Sequence, residues 1–200
     1  MARTKDDALH AQRRDDILKA AARVFKTKGF HLARTDHICA EANLSAGTLF
    51  RHFPDKSAII SAIALSELES YREGIEQLAS REGIEWMAQM DVANLKILLK
   101  PTDYDLGADS WLELTRNEEN RQTLLSFDKE LRRIYTRVLK RGQTEGWIRP
   151  TLHCEAATAL VLSLLTGLMF ERELGFQVES KNTALAIADL FSSFLEQIKS

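Results

Sequence analysis

The residues with the most chemistry to offer lie close together, in the order Ser45, Ala46, Gly47, Thr48, Arg51, His52 and Lys56. Small side chains at the start of a helix let its free N–H groups approach a phosphate, where the helix dipole favours negative charge. Thr48 can offer its hydroxyl to phosphate and its methyl to a thymine C5 methyl, and Arg51 can pair with guanine or phosphate. His52 can donate to phosphate, and Lys56 begins the next helical pattern beside the same surface. The chemistry is recognition of a polyanion. Similar residues also occur on ordinary solvated basic faces, so the elements that carry them decide the matter.

Catalysis finds little support. No nucleophile and base stand in a recognisable motif, and no Gly-rich phosphate loop occurs. The pair His153–Cys154 lacks metal-ligand spacing. Of the five histidines, His10, His31, His37 and His52 all fall within residues 1–56, the basic end of the chain. No catalytic residue, metal or cofactor is expected, and an enzyme is the remote alternative.

Stepping outward from these residues, Ile17, Ala21, Val24 and Phe25 recur at i, i+4, i+7 and i+8, with Leu18 and Ala22 widening the stripe. A helix is therefore predicted from Gln12 to Lys28, closed by Gly29 in the left-handed conformation with Phe30 folded back. Thr35 or Asp36 can cap a helix of about two turns carrying Ile38 and Ala42 inward, and Asn43 stops it. Ser45 caps the next helix, which Pro54 ends within about eight residues. Spacing at 100° turns Leu49, Phe50 and Phe53 inward and Gly47, Thr48, Arg51 and His52 outward. Two helices this short, joined by so tight a turn, have the dimensions of a helix-turn-helix, whose second helix enters the DNA major groove.

Beyond residue 55 the patterns lengthen. Helices are predicted over about 56–80, over "IEWMAQMDVANLKILLK", over the short "ADSWLELTRN" and over the stretch carrying Leu124, Phe127, Leu131, Ile134, Tyr135 and Val138. "EAATALVLSLLTGLMF" is apolar almost all round, and a dense stripe follows on the C-terminal pattern. A helix without a polar face must be covered on every side, so a second subunit and a twofold four-helix interface are expected. Its candidate residues are Leu164, Leu168, Leu190, Phe191, Phe194 and Ile198; burial inside one subunit is the alternative.

Composition agrees with an all-α protein. Charged residues make up 28% of the 200, and with only 9 Gly and 3 Pro a strand-and-turn protein is disfavoured. Net charge of −2 hides an asymmetry: residues 1–56 hold 11 Lys/Arg and 7 Asp/Glu, while the remainder holds 16 and 22. An anion is thus met at one end. The N-terminus has no apolar run behind its basic residues, and no stretch approaches the roughly 20 apolar residues of a membrane span. A cytoplasmic location without membrane contact is expected, and Cys39 and Cys154 are expected to be buried free thiols.

"ILKAAARVFKTKGF" and "DHICAEANLSAGTLFRHFPDKSAII", with their spacing, resemble the tetracycline-repressor (TetR) family of bacterial transcriptional regulators over roughly residues 12–62. The resemblance implies a homodimer, three N-terminal helices on a near-palindromic operator, and a larger helical domain whose ligand releases the DNA. Carried over position by position, the family's phosphate and base contacts fall on Ser45, Gly47, Thr48, His52 and Lys56. Phe50 stands where the family usually has tyrosine, which removes one phosphate hydrogen bond. Ala33 stands where many members cap the second helix with threonine; either Thr35 caps one turn later, or Arg34 supplies a charged phosphate contact instead.

The expected architecture is all-α, with about nine helices. Residues 1–55 form a three-helix helix-turn-helix DNA-binding domain, and residues 56–200 a larger ligand-binding and dimerisation domain. Pocket residues in the body follow no motif. Large apolar or amphipathic side chains spread over the central helices are the candidates: Trp86, Met87, Met90, Tyr104 and Trp111, then Phe127, Tyr135 and Phe170. Glu113 could face a cationic or hydroxylated ligand. The expected function is a sequence-specific regulator of transcription, a repressor released from its operator by a small-molecule effector. The alternative is a helix-turn-helix protein whose body binds a protein partner.

Overall fold

The computed structural model describes residues 2–101, 104–116 and 118–196. Among these the chain forms ten helices: α1 (Ala2–Leu32), α2 (Thr35–Glu41), α3 (Ala46–His52), α4 (Lys56–Leu78), α5 (Arg81–Ala88), α6 (Val92–Leu98), α7 (Gly107–Leu114), α8 (Glu118–Glu145), α9 (Cys154–Glu173) and α10 (Lys181–Ser192). The count exceeds the expected nine because the stretch from Ile84 to Lys100 is two helices. Asp91 adopts an extended conformation and its carboxylate accepts the Asn94 N–H at 2.7 Å, capping a new helix where the apolar pattern alone reads as continuous.

Contacts group the described chain into two units, residues 1–69 with 101–120 and residues 70–100 with 121–200. The boundary expected at residue 55 runs inside the first unit, because the start of α4 and the segment around α7 share its core. That core is formed by Ile17, Ala21 and Phe25 of α1, Ile38 of α2, Leu49 of α3, Phe53, and Ile59 and Ile63 of α4. Gly29 interrupts α1 with φ +71°, and Phe30 folds back to a ring-centroid distance of 5.0 Å from Phe25. A residue with a Cβ would be strained at that φ. Tyr104 and Leu106 join the same cluster. The Tyr104 hydroxyl donates to Asp15 at 2.9 Å, Lys26 pairs with Asp105 at 2.9 Å, and buried Glu67 of α4 accepts the Leu106 N–H at 2.7 Å and the Ser110 hydroxyl. The segment preceding α7 is thereby fastened to α1 and α4.

In the second unit Ile84, Met87, Leu95, Leu131, Tyr135, Leu139, Val161, Leu165, Ile187 and Phe191 form the core. Among the expected interface residues, Leu168, Phe191 and Phe194 are buried in this core and Leu164 and Leu190 are half-buried. Ile198 lies outside the described residues. The C-terminal helix also stops earlier than its stripe implies: α10 ends at Ser192, and Leu195 pairs with Ile148 in an isolated antiparallel bridge.

Contrary to the sequence expectation, α9 is long and apolar enough to cross a membrane by length and composition. Val161, Leu165 and Leu168 turn into the core, while Ala156, Leu160, Ser163, Gly167, Phe170 and Leu174 are exposed. The exposed set follows a spacing of four and three residues and so makes one continuous seam. A helix apolar all round has two faces to satisfy, and α9 uses one of them for its own unit. Cys39 and Cys154 are free and buried, as expected.

Candidate nucleic-acid interface

The surface around α3 is built from its N-terminus. Ser45 has an extended backbone, its hydroxyl accepts the Thr48 N–H at 3.1 Å, and the two hydroxyls lie 2.9 Å apart. The cap fixes the helix start and leaves Ser45, Ala46 and Gly47 exposed. A Cβ placed on Gly47 would meet nothing closer than the Ser45 hydroxyl oxygen at 3.9 Å. Neither backbone conformation nor internal packing therefore calls for glycine there. The turn before Ser45 is made by Asn43 at φ 52°, with the Leu44 N–H donating to the Cys39 carbonyl at 2.9 Å.

Leu49 and Phe53 are buried, which anchors α3. Phe50, expected to face inward, is instead 49% exposed. It follows Ala46 and Gly47 at i+4 and i+3, so it shares their outward stripe. Arg51 is exposed, with no hydrogen-bond or ion-pair partner among the described residues.

His52 is held from α1. Its ring lies 4.3 Å from that of His10, while Arg14 donates to the His52 carbonyl at 3.4 Å and stacks over Phe53 at 4.2 Å. Its Nδ1 is buried without a partner among the described residues. Burial first, then the positive neighbours His10, Arg14, Arg51 and Arg13, push the imidazole pKa down from its ordinary value. Both effects favour the neutral imidazole in the free protein.

Lys56 occupies a different place from the one its sequence position predicts. Its ammonium donates to the Phe30 carbonyl at 2.6 Å and to the Ala33 carbonyl at 3.0 Å. It pins the start of α4 to the corner between α1 and α2, leaving one of its three donors unassigned. The start of α2 has a third solution besides the two predicted. Arg34 occupies the N-cap position, and its N–H donates to His37 Nδ1 at 3.2 Å, so His37 closes the helix from its third position. Thr35 is the first helical residue and is half-buried, and Arg34 is exposed. A residue three positions into a helix is a readable capping signal, so His37 could have been found in the sequence; His10 and Arg14, some 40 residues from their partners, could not.

The proposed pocket residues divide between the two units. Met87, Met90 and Tyr135 are buried in the second unit with Trp86 and Phe127 packed against them. Phe170 is 46% exposed on the outer seam of α9 and does not join them. Tyr104, Trp111 and Glu113 belong to the first unit, where Tyr104 binds Asp15 and Glu113 pairs with Arg116 at 3.3 Å.

Residues 17–63 match the family described as bacterial regulatory proteins, tetR family. The chain is similar to the HTH-type transcriptional regulator UidR of Escherichia coli strain K12, at 28% identity over 169 residues covering 80% of this chain and 81% of the relative. It is similar to the HTH-type transcriptional repressor Rv1474c of Mycobacterium tuberculosis at 32% identity over 124 residues, 56% of this chain and 63% of that one. Among solved structures, a transcriptional regulator from Saccharomonospora viridis in complex with choline aligns with a TM-score of 0.71 at 19% identity, covering 94% of this chain and all of the other.

Proposed function

We propose that the chain, a helix-turn-helix transcriptional regulator of the tetR family of bacterial regulatory proteins, is a cytoplasmic homodimeric repressor, released from a palindromic operator by a small-molecule effector. Residues 1–55 carry the DNA contacts, and residues 56–200 carry dimerisation and the effector site. The chain acts by binding, not by catalysis.

The observation that carries this reading is Gly47: exposed, on a capped helix start, and with open space where a side chain would stand. A partner that comes close to the backbone would account for it, and a phosphate seated on the α3 N-terminus is such a partner. Arg51 and half-exposed Phe50 flank this point with a free guanidinium and an apolar ring for base edges and thymine methyls. The exposed seam of α9 supports the dimer, since a twofold partner would cover Leu160, Phe170 and Leu174. The similar repressor from M. tuberculosis and the similar structure holding choline support repression and a small effector.

Footprinting on the DNA upstream of the chain's own gene, with light scattering on the same sample, tests the proposal. A dimer protecting two half-sites about 34–36 Å apart is expected. A monomer at micromolar concentration that protects no DNA refutes it.

A further inference from the structure

We propose that the effector site is built around the Tyr135 hydroxyl and takes an uncharged, largely apolar molecule bearing one hydrogen-bond-accepting oxygen or nitrogen. This rests on the reading of the chain as an effector-released regulator. Tyr135, on α8, is wholly buried in the core of the second unit, and its hydroxyl has no hydrogen-bond partner among the described residues. The other fully buried polar side chain described in that unit, Thr158, receives a hydrogen bond from Thr136 at 2.9 Å. Among the described residues of this unit, the one other buried side-chain nitrogen or oxygen without a partner is Nε of half-buried Arg149, which is not part of the apolar cluster around Tyr135.

A buried hydroxyl without a partner is destabilising, and phenylalanine would fill the same space at no such cost. The hydroxyl is accounted for if its partner arrives with a ligand. Burial pushes the phenol pKa up, so the group keeps its proton and acts as a donor. The ligand must then present an acceptor: a ketone, ether, hydroxyl or aromatic nitrogen.

Charge on the ligand is disfavoured by what surrounds Tyr135. No charged side chain of the second unit is fully buried among the described residues. Several ionic groups of α8 pair at the surface, Arg132 with Asp128, Arg133 with Glu130 and Lys140 with Glu155. A cation or anion beside Tyr135 would have no counter-charge in a medium that leaves it poorly solvated. Met87 and Met90 share the cluster, and their unbranched thioethers can repack around an incoming apolar body.

Two nearly isosteric probes test the assignment: 2-acetylnaphthalene, which carries a carbonyl acceptor, and 2-ethylnaphthalene, which does not. Both are titrated calorimetrically into the full-length wild-type protein and Tyr135→Phe, with choline as a cationic competitor. Wild type should bind the ketone about tenfold more tightly than the hydrocarbon. Tyr135→Phe should bind both alike while its melting temperature stays at or above that of wild type. Equal wild-type affinities, a preference that survives in Tyr135→Phe, absence of binding by either probe, or competition by choline would each overturn the site. Promoter-DNA binding measured on the same proteins separates the two claims. A Tyr135-dependent preference without release of DNA refutes the effector reading and leaves the site standing. Release of DNA by the ketone that Tyr135→Phe does not alter refutes the site and leaves the effector reading standing.

Discussion

Gly47→Ala should move stability and DNA affinity in opposite directions. In the free protein the new Cβ meets nothing closer than 3.9 Å, and no positive φ opposes it. Alanine is a better helix former than glycine by up to about 1 kcal/mol; in the first turn of α3 a gain of about 0.5 kcal/mol is reasonable. For a chain of 200 residues that corresponds to a rise in melting temperature of about 1–2 °C. With a phosphate seated on the α3 N-terminus as proposed, the same methyl would stand between that phosphate and the backbone N–H groups. Losing one hydrogen bond to a charged oxygen costs about 1.5–3 kcal/mol, or roughly ten- to a hundredfold in affinity for each half-site. Fluorescence anisotropy on promoter DNA at one fixed salt concentration reads the affinity, and a thermal melt reads the stability. Affinity within twofold of wild type would show that nothing approaches Gly47. A lowered melting temperature would show that the fold itself needs the glycine.

Four further outcomes are expected. Lys56→Ala removes two hydrogen bonds from an ammonium, so it should lower the melting temperature and weaken binding to every sequence, with the salt dependence unchanged; a log–log salt slope shallower by about 0.9 per site at constant stability would place Lys56 on a phosphate instead. Arg51→Ala should relax base preference at one position of each half-site, and an unaltered preference in a sequence-randomised selection would demote Arg51 to the backbone or solvent. The free protein favours the neutral form of His52 and a phosphate would favour its charged form, so its pKa rises on binding: the affinity gain is full below the free-state pKa and lost as pH rises through the bound-state pKa. Affinity should therefore climb as pH falls from 8 to 6 in wild type and less so in His52→Gln; identical pH profiles would refute the contact. Leu160→Glu sets a charge in the α9 seam against its own twofold mate, so light scattering should find monomers at micromolar concentration, and an intact dimer would move the interface elsewhere.

Local signals carried the first quarter of the fold. Gly29 and Phe30 end the long stretch of α1, Asn43 makes the turn, and Ser45 caps α3, each through chemistry confined to a few neighbouring residues. Where partners are distant in sequence, the pattern is silent. Nothing near Lys56 announces the Phe30 and Ala33 carbonyls, and nothing near Tyr104 announces Asp15, 89 residues away. Periodicity also fails on a helix apolar all round. It marks Leu168 and Phe170 alike, yet one packs in the core and the other lies open on the seam. Phe50 went astray for a related reason, because hydrophobicity argues for burial in general, whereas a helix that enters a groove can keep an aromatic ring on its outer face.

Gly47, Gly74 and Gly167 share a physical signature that separates them from Gly29. Gly29 is demanded from within, since its φ of +71° would strain any other residue. The other three sit inside helices without positive φ, are exposed, and have open space where a Cβ would go; none of the described atoms comes within 4 Å of that position at Gly74 or Gly167. A glycine in a helix costs up to about 1 kcal/mol against alanine, so each is a local loss that the isolated chain does nothing to offset. A contact from outside that a methyl group would obstruct would offset that loss. At the α3 N-terminus the surrounding hydroxyls and the unpaired Arg51 suit the phosphate proposed for it. On α9 the neighbours are Leu160, Ser163 and Phe170, an apolar seam with small residues at its middle, which suits the backbone of another helix at close range. On the proposed function, Gly47 would face DNA and Gly167 the second copy. Gly167→Leu should break the dimer and leave a folded monomer, whereas Gly47→Ala should leave the dimer intact and lose the operator.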